Sequence, residues 1–505
     1  MRKHAVRSVL SLMLLFGVVA MASAQGIPGN AWYTSVTIQN VGVGDASVTL
    51  QAFPQGTGAA VSSNPVTIPK NKNKVFLPGT TGANFIPMNL PSGFSGSMVV
   101  SASDNVVAIA QLGNNVVGSN GTPGGLAAGQ YRGSSVGDSK ITYPSVKNNF
   151  GNKLTIFSVQ ATGDVGYTAT IKDNAGGTHT KTGTIGANRS VFLRPDTGFT
   201  PAMAGTNCGT QPNTSPCLGS LSVQVTSGTG QLVGAEVETQ TNVSPQTVAQ
   251  ATSMFTTADA SNTAFCTAIK YGFDARQNRH SGVAVQNVGT AAVKVRLTVK
   301  TDSTLGANPN QTYTQDIDIP VGASRTFIGT TNTLGGMPPN NLGAGTLTTI
   351  NANGTLNTNG RIIAAVNEAN FAGPAALKAT TYACSSAGSA TRNIAFPLVK
   401  ENFSGSSGAV NVQNVGSNPT VVTLTYTCSA RNGTALPTKT LTTASLPTGK
   451  SQVFFLRSEI VDDSLCAVTA QAAAQADKII GISQESSDYS GGTLDTKNFE
   501  GFNLP

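Results

Sequence analysis

Three stretches of the sequence place the same four residues between runs of alternating apolar side chains: VTIQNVGVGDASVTLQAF at 36–53, VAVQNVGTAAVKVRLTVK at 283–300 and VNVQNVGSNPTVVTLTYT at 410–427. Alternation with a period of two predicts strands, while Asn and Gly are typical of turns. QNVG is therefore interpreted as the end of one strand and the entry to a hairpin loop, with its valine capping a sandwich core. A ligand-binding loop is the alternative.

The spacing of the glutamines reveals a fourth, diverged copy. Gln39 and Gln286 are separated by about twice the distance between Gln286 and Gln413. The missing copy lies between them, in LTIFSVQATGDVGYTATIKD at 154–173, where Gln160 is followed by Ala-Thr-Gly. The sequence therefore contains four repeated units.

Each unit holds about seven short strands in roughly 100 residues, which predicts an all-β chain of four tandem antiparallel β-sandwich domains. The stretches between the units are rich in small and polar residues and are interpreted as linkers that permit domain motion. The assigned linkers are 117–139, 242–262 and 385–391. The assigned segments are a signal peptide at 1–24 and units at 25–118, 139–242, 263–384 and 392–505, the last with a C-terminal tail.

The first 24 residues have the pattern of a cleaved signal peptide. A basic start with Arg2, Lys3 and Arg7 precedes an apolar run and the small-residue site Ala22-Ser23-Ala24. No later run approaches the roughly 18 apolar residues that cross a bilayer. We therefore expect a secreted, extracellular or cell-surface protein without a membrane span.

The charge pattern argues against nucleic-acid binding. Only 11% of the residues are charged, and the net charge is +8 over 505 residues. The densest basic patch, KNKNK at 70–74, is interpreted as a solvated turn, because a nucleic-acid site would need a basic stripe with interleaved aromatic residues.

The six cysteines predict disulfides, because an even number in an exported chain is typical of a disulfide framework. Six cysteines allow 15 connectivities. The unit layout favours three pairs, each of which stays within one unit: Cys208 with Cys217, Cys266 with Cys384, and Cys428 with Cys466.

Candidate catalytic and metal-binding residues are few. His179 and His280 lie in different units, in a predicted turn and a predicted loop, where histidines are usually solvated. Close acidic residues could form a Ca²⁺ site or a glycosidase pair, but a solvated strand face is favoured because no acid recurs at one aligned position. These acids are Glu236 with Glu238, Asp316 with Asp318, and Asp462 and Asp463 with Glu459. No catalytic residue, metal site or cofactor is assigned.

A longer pattern carries a resemblance to a known group. FPLVKENFSGSSGAVNVQNVGSNPTVVTLTYT at 396–427, followed by LPTGKSQVFF and IIGISQE, resembles tandem surface repeats of exported bacterial proteins, particularly Chloroflexi-like ones. The resemblance covers all four units, although P-x-V-K-x-N-F together with QNVG is complete only in unit four. It implies immunoglobulin-like sandwiches and a role at the cell surface or in an extracellular matrix, and it transfers no catalytic residue.

The resulting expectation is a non-enzymatic structural or adhesive surface protein of four rod-like sandwiches, assembling with itself or with other surface proteins into fibres or a layer. A carbohydrate-binding protein or adhesin with glycan specificity in its loops is the alternative. A secreted hydrolase is the third interpretation. The single tryptophan, Trp32, is expected in a core or an interface rather than on a sugar-binding platform.

Unit one departs from its siblings at its start. Gln25, the first residue after the expected cleavage, lies only 14 residues before Gln39, so the opening strand is cut short. A sandwich that lacks part of an edge strand exposes unpaired backbone groups, which another chain could cover. We expect unit one to be a docking or polymerisation site, filled by a neighbour's tail such as 495–505, although this tail also resembles the normal end of a unit.

Overall fold

The computed structural model describes residues 15–19, 32–78, 84–91, 93–114, 128–240, 249–274, 278–328, 333–370, 379–403, 405–455, 460–489 and 493–504. Its regular structure in these ranges is strand, apart from three short 3₁₀ helices at Pro212–Thr214, Thr257–Asp259 and Thr333–Gly336. The predicted all-β fold is confirmed.

The strands fall into four sets that follow one another along the chain. Unit one contains β1 Leu15–Val19, β2 Trp32–Asn40, β3 Ala46–Pro54, β4 Val61–Ser62, β5 Val66–Ile68, β6 Asn73–Pro78, β7 Phe85–Met88, β8 Gly96–Ala102, β9 Val106–Asn114 and β10 Ala128–Arg132. Unit two contains β11 Lys140–Phe150, β12 Lys153–Ala161, β13 Val165–Asp173, β14 Thr178–Ile185, β15 Ser190–Leu193, β16 Leu218–Gly228, β17 Leu232–Gln240, β18 Ala249–Ser253 and β19 Phe255–Thr256.

The two C-terminal sets repeat this order. Unit three contains β20 Thr263–Tyr271, β21 Arg279–Asn287, β22 Val293–Gly306, β23 Thr312–Ile319, β24 Ser324–Ile328, β25 Asn341–Ile350, β26 Ile362–Asn370, β27 Ala379–Ala383 and β28 Ser385–Ser386. Unit four contains β29 Asn393–Glu401, β30 Ser406–Asn414, β31 Val422–Ala430, β32 Lys439–Thr442, β33 Ser451–Phe455, β34 Ser464–Ala472, β35 Ile479–Tyr489, β36 Thr493–Glu500 and β37 Phe502–Leu504.

Units one, three and four each consist of two sheets, and unit two has the equivalent strand order with its two sheets joined by pairing of β11 with β12. The first sheet contains the opening strand of the unit (β11, β20 or β29), as in the order β23-β22-β25-β20-β28 of unit three. The second sheet contains the strand that ends in the QNVG position, as in the order β24-β21-β26-β27. The described strand pairs are antiparallel except for the parallel pair β6 and β7 in unit one.

Burial follows the alternation in the sequence only where a strand has one solvated face. Along β13, the side chains of Val165, Tyr167, Ala169 and Ile171 are buried and the intervening ones are half-buried. The opening strand β11 is instead buried over eight consecutive residues. It lies between the core of its own unit and strands β21 and β26 of the next unit.

All three stretches interpreted as linkers contain strands, and in 385–391 this is the short β28, which pairs with β20. Strand β10 lies within 117–139 and pairs with β9, while β18 lies within 242–262 and pairs with β17. We therefore count β10 with unit one, and β18 and β19 with unit two. The linker interpretation is wrong for these residues, because small residues here allow close strand packing rather than free motion.

The four equivalent strands β10, β18, β27 and β36, which we call the central strands, meet where the four units converge. Each central strand packs against those of two other units, and β36 of unit four returns to β10 of unit one. Hydrogen bonds in and beside the central strands connect the four units in the same cyclic order. They run between Arg132 and Ser253, between Gln250 and Asn367, between Ala383 and Glu500, and between Arg132 and Gly501.

Apolar side chains fill the junctions between successive units. Ile363 of unit three is buried in the core cluster of unit two, and Ile482 of unit four is buried in that of unit three. Val75 and Ile109 of unit one are buried in the cluster of unit four, which closes the ring. The rod-like tandem arrangement expected from the sequence is therefore wrong, because the units share cores around a closed ring.

Polar contacts at the junctions use carbonyl groups in turns. Lys172 donates to the carbonyl of Val321 at 3.1 Å, and the equivalent Lys300 donates to that of Thr448 at 3.0 Å. At the first junction, Arg189 of unit two donates through its two terminal nitrogens to carbonyls of Pro54 and Gly58, each at 2.7 Å. These three junctions thus combine apolar packing with directed hydrogen bonds.

Candidate functional site

The asparagine of QNVG makes three hydrogen bonds that organise its hairpin. In unit four, Nδ2 of Asn414 donates to the carbonyls of Asn418 and Leu446, each at 2.8 Å, and its Oδ1 accepts from the amide of Gly416 at 2.9 Å. Asn40 and Asn287 make the same three bonds in units one and three. The motif is therefore a structural element that ends a strand and closes a loop.

The valine of QNVG does not cap the core of its own unit. Val41 of unit one packs against the core cluster of unit four, and Val288 of unit three packs against that of unit two. The expectation was wrong because the hairpin projects beyond its own sandwich and reaches the preceding unit in the ring.

A buried ion pair recurs in three units. The opening-strand lysine lies 2.6 Å from a carboxylate oxygen at Lys147–Glu238, 2.9 Å at Lys270–Glu368 and 2.9 Å at Lys400–Glu485. Each pair joins the opening strand to the second sheet, where the glutamate lies on β17, β26 or β35. The statement that no acid recurs at one aligned position is therefore wrong.

A second cation completes each site. Lys153 lies 2.9 Å from Glu238, and Arg279, at the equivalent first residue of β21, lies 3.5 Å from Glu368. In unit four Lys497 of the central strand β36 takes this role at 3.0 Å from Glu485. We call these three clusters the charged triads.

The triads perturb the ionisation of their members. Burial acts to raise the pKa of Glu238, but Lys147 and Lys153 outweigh it and hold that pKa at about 2. Lys400 and Lys497 likewise overcome burial and hold the pKa of Glu485 at about 2. Burial lowers the pKa of Lys270 to about 8 against the opposing charge of Glu368. The glutamates Glu238 and Glu485 are therefore charged at neutral pH.

Unit one has apolar residues in two of the triad positions. Leu112 lies opposite Thr34 in the β2–β9 ladder, as Glu238 lies opposite Thr155 in the β12–β17 ladder. Trp32 begins β2 at the position of Lys153, and both Trp32 and Leu112 are buried in the core of unit one. This location agrees with the expected core role of the tryptophan and identifies what it replaces.

Glu236 differs from its neighbour Glu238 in its surroundings. Burial, and then the charge of Glu238, raise the pKa of Glu236 well above its ordinary value. The hydroxyl of Tyr143 donates to Glu236 at 3.2 Å. Both glutamates are buried, so their interpretation as a solvated strand face is wrong.

The carboxylate of Glu500 joins three units at the central strands. Its Oε1 accepts from the hydroxyl of Thr252 of unit two at 2.9 Å and from the amide of Ala383 of unit three. Burial raises the pKa of Glu500, and the charge of Arg132 of unit one partly opposes this effect. Arg132 also donates to the carbonyl of Gly501 at 3.3 Å and lies 4.8 Å over the ring of Phe502.

A cavity of about 1090 Å³, which we call the central cavity, lies beside this junction. Its walls come from all four units and combine hydroxyls, three charged groups and apolar side chains. They include Tyr131, Arg132, Ser253, Ala383, Glu500 and Phe502. A cavity of this size could hold a small polar molecule.

Both histidines have defined packing. His179 is buried, with Nε2 3.0 Å from Asp173 and Nδ1 2.9 Å from the carbonyl of Pro201. His280 lies on strand β21, where its ring packs edge-on against Tyr271. The expected solvated turn and loop positions are therefore wrong, because turn-forming residues flank short strands at both sites.

The remaining acidic candidates lie on the surface. Asp316 pairs with Arg296 at 2.8 Å, and Asp463 pairs with Arg431 at 2.7 Å. Asp318 is exposed, and Glu459 lies outside the described residues. Across the described ranges, no group of three or more His, Cys, Asp or Glu side chains is arranged to hold a metal ion.

The cysteines form the three pairs that the unit layout favours: Cys208 with Cys217, Cys266 with Cys384, and Cys428 with Cys466. Cys428 and Cys466 lie directly opposite each other in the β31–β34 ladder. The bond between Cys266 and Cys384 connects the opening strand of unit three to the C-terminal end of the same unit, between β27 and β28. Three disulfides are typical of proteins from an oxidising compartment.

Comparison with known proteins places the chain in no family. No family model matches it, and no curated protein matches it. In the part of the chain that the structure describes, no helix has the length and hydropathy of a membrane span. The class that the fold and its contacts define is an all-β protein of four repeated sandwich units, three of which contain a disulfide.

Solved structures give weak similarities. A Thermotoga maritima protein, "Thermotoga maritima 1070", has a TM-score of 0.19 and 12% identity over 25% of this chain and 96% of that chain. A "tetra-tandem repeat in extending region of large adhesion protein" has a TM-score of 0.11 and 13% identity over 96% of this chain and 99% of that chain. The Pleurotus ostreatus lectin has a TM-score of 0.08 and 10% identity over 48% and 81%. These scores carry no functional argument.

Proposed function

We propose that this chain is a non-enzymatic structural or adhesive protein of the cell surface. A signal peptide directs its export and is removed by cleavage after Ala24. The observation that supports this proposal is the use of its buried charged groups. The triads join the two sheets of three units, while Glu500 and Arg132 join the units to one another. The repeated polar contacts thus hold the sheets and the units together, which suits a structural surface component.

Export accounts for two further features. Three intramolecular disulfides suit an oxidising compartment, and the pattern of residues 1–24 suits a cleaved signal. The rigid ring would present its outer loops to neighbouring molecules. Assembly with surface proteins, rather than turnover of a substrate, is the role we assign to those loops.

The experiment is localisation combined with mass measurement. An antibody against the purified protein should label the outside of intact cells by immunogold electron microscopy, and the intact mass should correspond to a chain beginning at Gln25. Label confined to the cell interior, or a chain that retains residues 1–24, would contradict the proposal. Negative-stain images of the purified protein would show whether it forms fibres, a layer or single rings.

Carbohydrate binding is the second candidate, and the central cavity is the observation that favours it. Its mixed lining of hydroxyl, charged and aromatic groups is suited to a small glycan. A glycan array should then detect a ligand, and Ser253→Leu, which places an apolar side chain in the lining, should weaken that signal at least tenfold. Equal glycan binding by the parent and the Ser253→Leu variant would show that the cavity is not the glycan site.

A further inference from the structure

Strand β1 occupies the place of an opening strand in unit one. It pairs antiparallel with β8, with Val19 opposite Met98 and Phe16 opposite Ser101. In unit two, β11 pairs with β16 in the same way, with Tyr143 opposite Leu221. Met98 and Leu221 are equivalent, because each lies two residues after the first glycine of its GS pair. The edge of β8 is therefore covered by residues of the expected signal peptide.

Removal of residues 1–24 would uncover this edge, and the remaining N-terminus is too short to replace β1. Tyr143, the last opening-strand residue paired before the bulge, lies ten residues before Lys153. Trp32 is the counterpart of Lys153, and Gln25 lies only seven residues before Trp32. Because an extended chain advances about 3.3 Å per residue, the mature terminus ends roughly 10 Å short of the Met98 level.

The apolar residues at the triad positions of unit one are suited to a strand from another polypeptide. Without an opening-strand lysine, a glutamate at the position of Leu112 would be a buried charge without its partner, which is strongly destabilising. Unit one instead has Leu112 and Trp32 at two triad positions. An apolar residue is therefore the complementary side chain at the third position, where its siblings carry lysine.

The chain itself offers no spare strand among its described residues. The C-terminal tail is part of unit four, where β36 pairs with β35 and β37 pairs with β29. The hypothesis that this tail fills a neighbour's unit one is therefore wrong for the structure as folded. The opening strands β11, β20 and β29 are likewise paired within their own units.

We propose that the mature protein accepts, along the edge of β8, an extended strand from a different polypeptide with apolar side chains at alternate positions and an apolar residue in place of the opening-strand lysine. The inference rests on the proposed export, because β8 is covered until residues 1–24 are removed. Backbone hydrogen bonds supply affinity in this mode of recognition, and the alternating side chains supply specificity. The edge adjoins the central cavity, since Val100, the partner of Gly17, lines that cavity.

Synthetic peptides test this proposal. The probe is SKITYPSVLN, the unit-two segment 139–148 with Lys147→Leu, and the expected result is one peptide bound per mature chain by calorimetry. The native segment SKITYPSVKN should bind at least tenfold more weakly, because its lysine would be buried beside Leu112 and Trp32. A control peptide of the same composition, with the apolar residues shifted by one position, should not bind, because a shift of one residue turns them to the wrong face.

A self-complemented chain is the matched control. In it the probe segment directly precedes Gln25, so that its tyrosine takes the position of Val19, thirteen residues before Trp32. This chain should not bind the peptide, and the amides of Met98 and Val100, which lie on the β1 side of β8, should exchange more slowly than in the mature protein. If the mature protein folds poorly alone, peptide added during refolding should raise the yield of soluble protein at least severalfold.

Several outcomes would overturn the proposal. They are absence of peptide binding by a protein shown by mass to begin at Gln25, equal binding of the shifted peptide, and a self-assembled oligomer that the probe cannot dissociate. A protein whose mass retains residues 1–24 would instead contradict the proposed export. The two proposals therefore fail by different measurements.

Discussion

Nζ of Lys147 lies 2.6 Å from a carboxylate oxygen of Glu238, and the two side chains connect the sheets of unit two inside its core. The pair recurs in units three and four with different second cations. In unit one Leu112 occupies the position of the glutamate, so the same place in the fold accommodates either a charged or an apolar side chain.

Breaking a triad should cost much more than replacing it. Glu238→Gln leaves Lys147 and Lys153 buried without a counter-charge and should destabilise the protein by about 3–5 kcal/mol. The triple variant Lys147→Met, Lys153→Met and Glu238→Leu should lie close to the parent, because apolar packing can substitute for a buried ion pair. The midpoint of urea unfolding measures both, and a triple variant no more stable than the single one would contradict the idea.

Acid should weaken the triads. The folded pKa of Glu238 is about 2, below its ordinary value of 4.5, so its stabilising contribution is complete above pH 4.5 and is lost as the pH falls towards 2. That contribution is on the order of 3 kcal/mol. The parent should therefore lose more stability than the triple variant between pH 5 and pH 2.5 in matched urea titrations. Parallel losses would show that Glu238 does not carry the effect.

Asn414 should contribute more to stability than a hairpin residue usually does, because its side chain is buried. Asn414→Ala removes three hydrogen bonds, two of them to the carbonyls of Asn418 and Leu446, which should cost about 2–3 kcal/mol. Asn432→Ala, at an exposed turn, serves as the matched control and should change stability by less than about 0.5 kcal/mol. Thermal unfolding of the two variants measures the difference, which should vanish if QNVG were chiefly a ligand loop.

The stability of the ring should depend on Arg189, which lies at the junction of units one and two. Arg189→Ala removes both hydrogen bonds to unit one and should cost about 1.5–3 kcal/mol. Arg194→Ala removes only a surface pair with Asp196 inside unit two and should cost about 0–1 kcal/mol. Limited proteolysis should cut the first variant faster between the units. Equal protection of both variants would argue that Arg189 is dispensable at this junction.

The disulfides should contribute in proportion to the logarithm of the chain they close. Cys266 and Cys384 are separated by 118 residues, and Cys208 and Cys217 by nine. The chain-entropy estimate gives about 5 kcal/mol for the first and about 3 kcal/mol for the second. Paired Cys→Ala variants, compared by thermal unfolding, should therefore show the larger loss for the bond in unit three, and the reverse order would contradict a purely entropic origin.

The sequence predicts the strands and the unit repeat well because both depend on local alternation and turn residues. It conceals the recurring glutamate, since Glu238, Glu368 and Glu485 lie 78, 82 and 72 residues after their respective glutamines. Only the ladders show that all three occupy the same position, opposite the residue five before the glutamine.

The ring is concealed for a different reason. Leu154 and Ile156 pack into the core of unit one, although they belong to a strand of unit two. An apolar residue that faces another domain has the same pattern in sequence as one that faces its own core. The sequence therefore predicts sandwiches but not the way they pack together.

The covalent connection of the four units has a consequence for symmetry. A tetramer of four identical subunits would have either four equivalent gaps at β8 or none, because every subunit must be the same. A single chain can vary one quadrant alone, and unit one, with Leu112 and Trp32 in place of charged residues, is that quadrant. The packing of four similar units is thereby combined with a stoichiometry of one bound strand per chain.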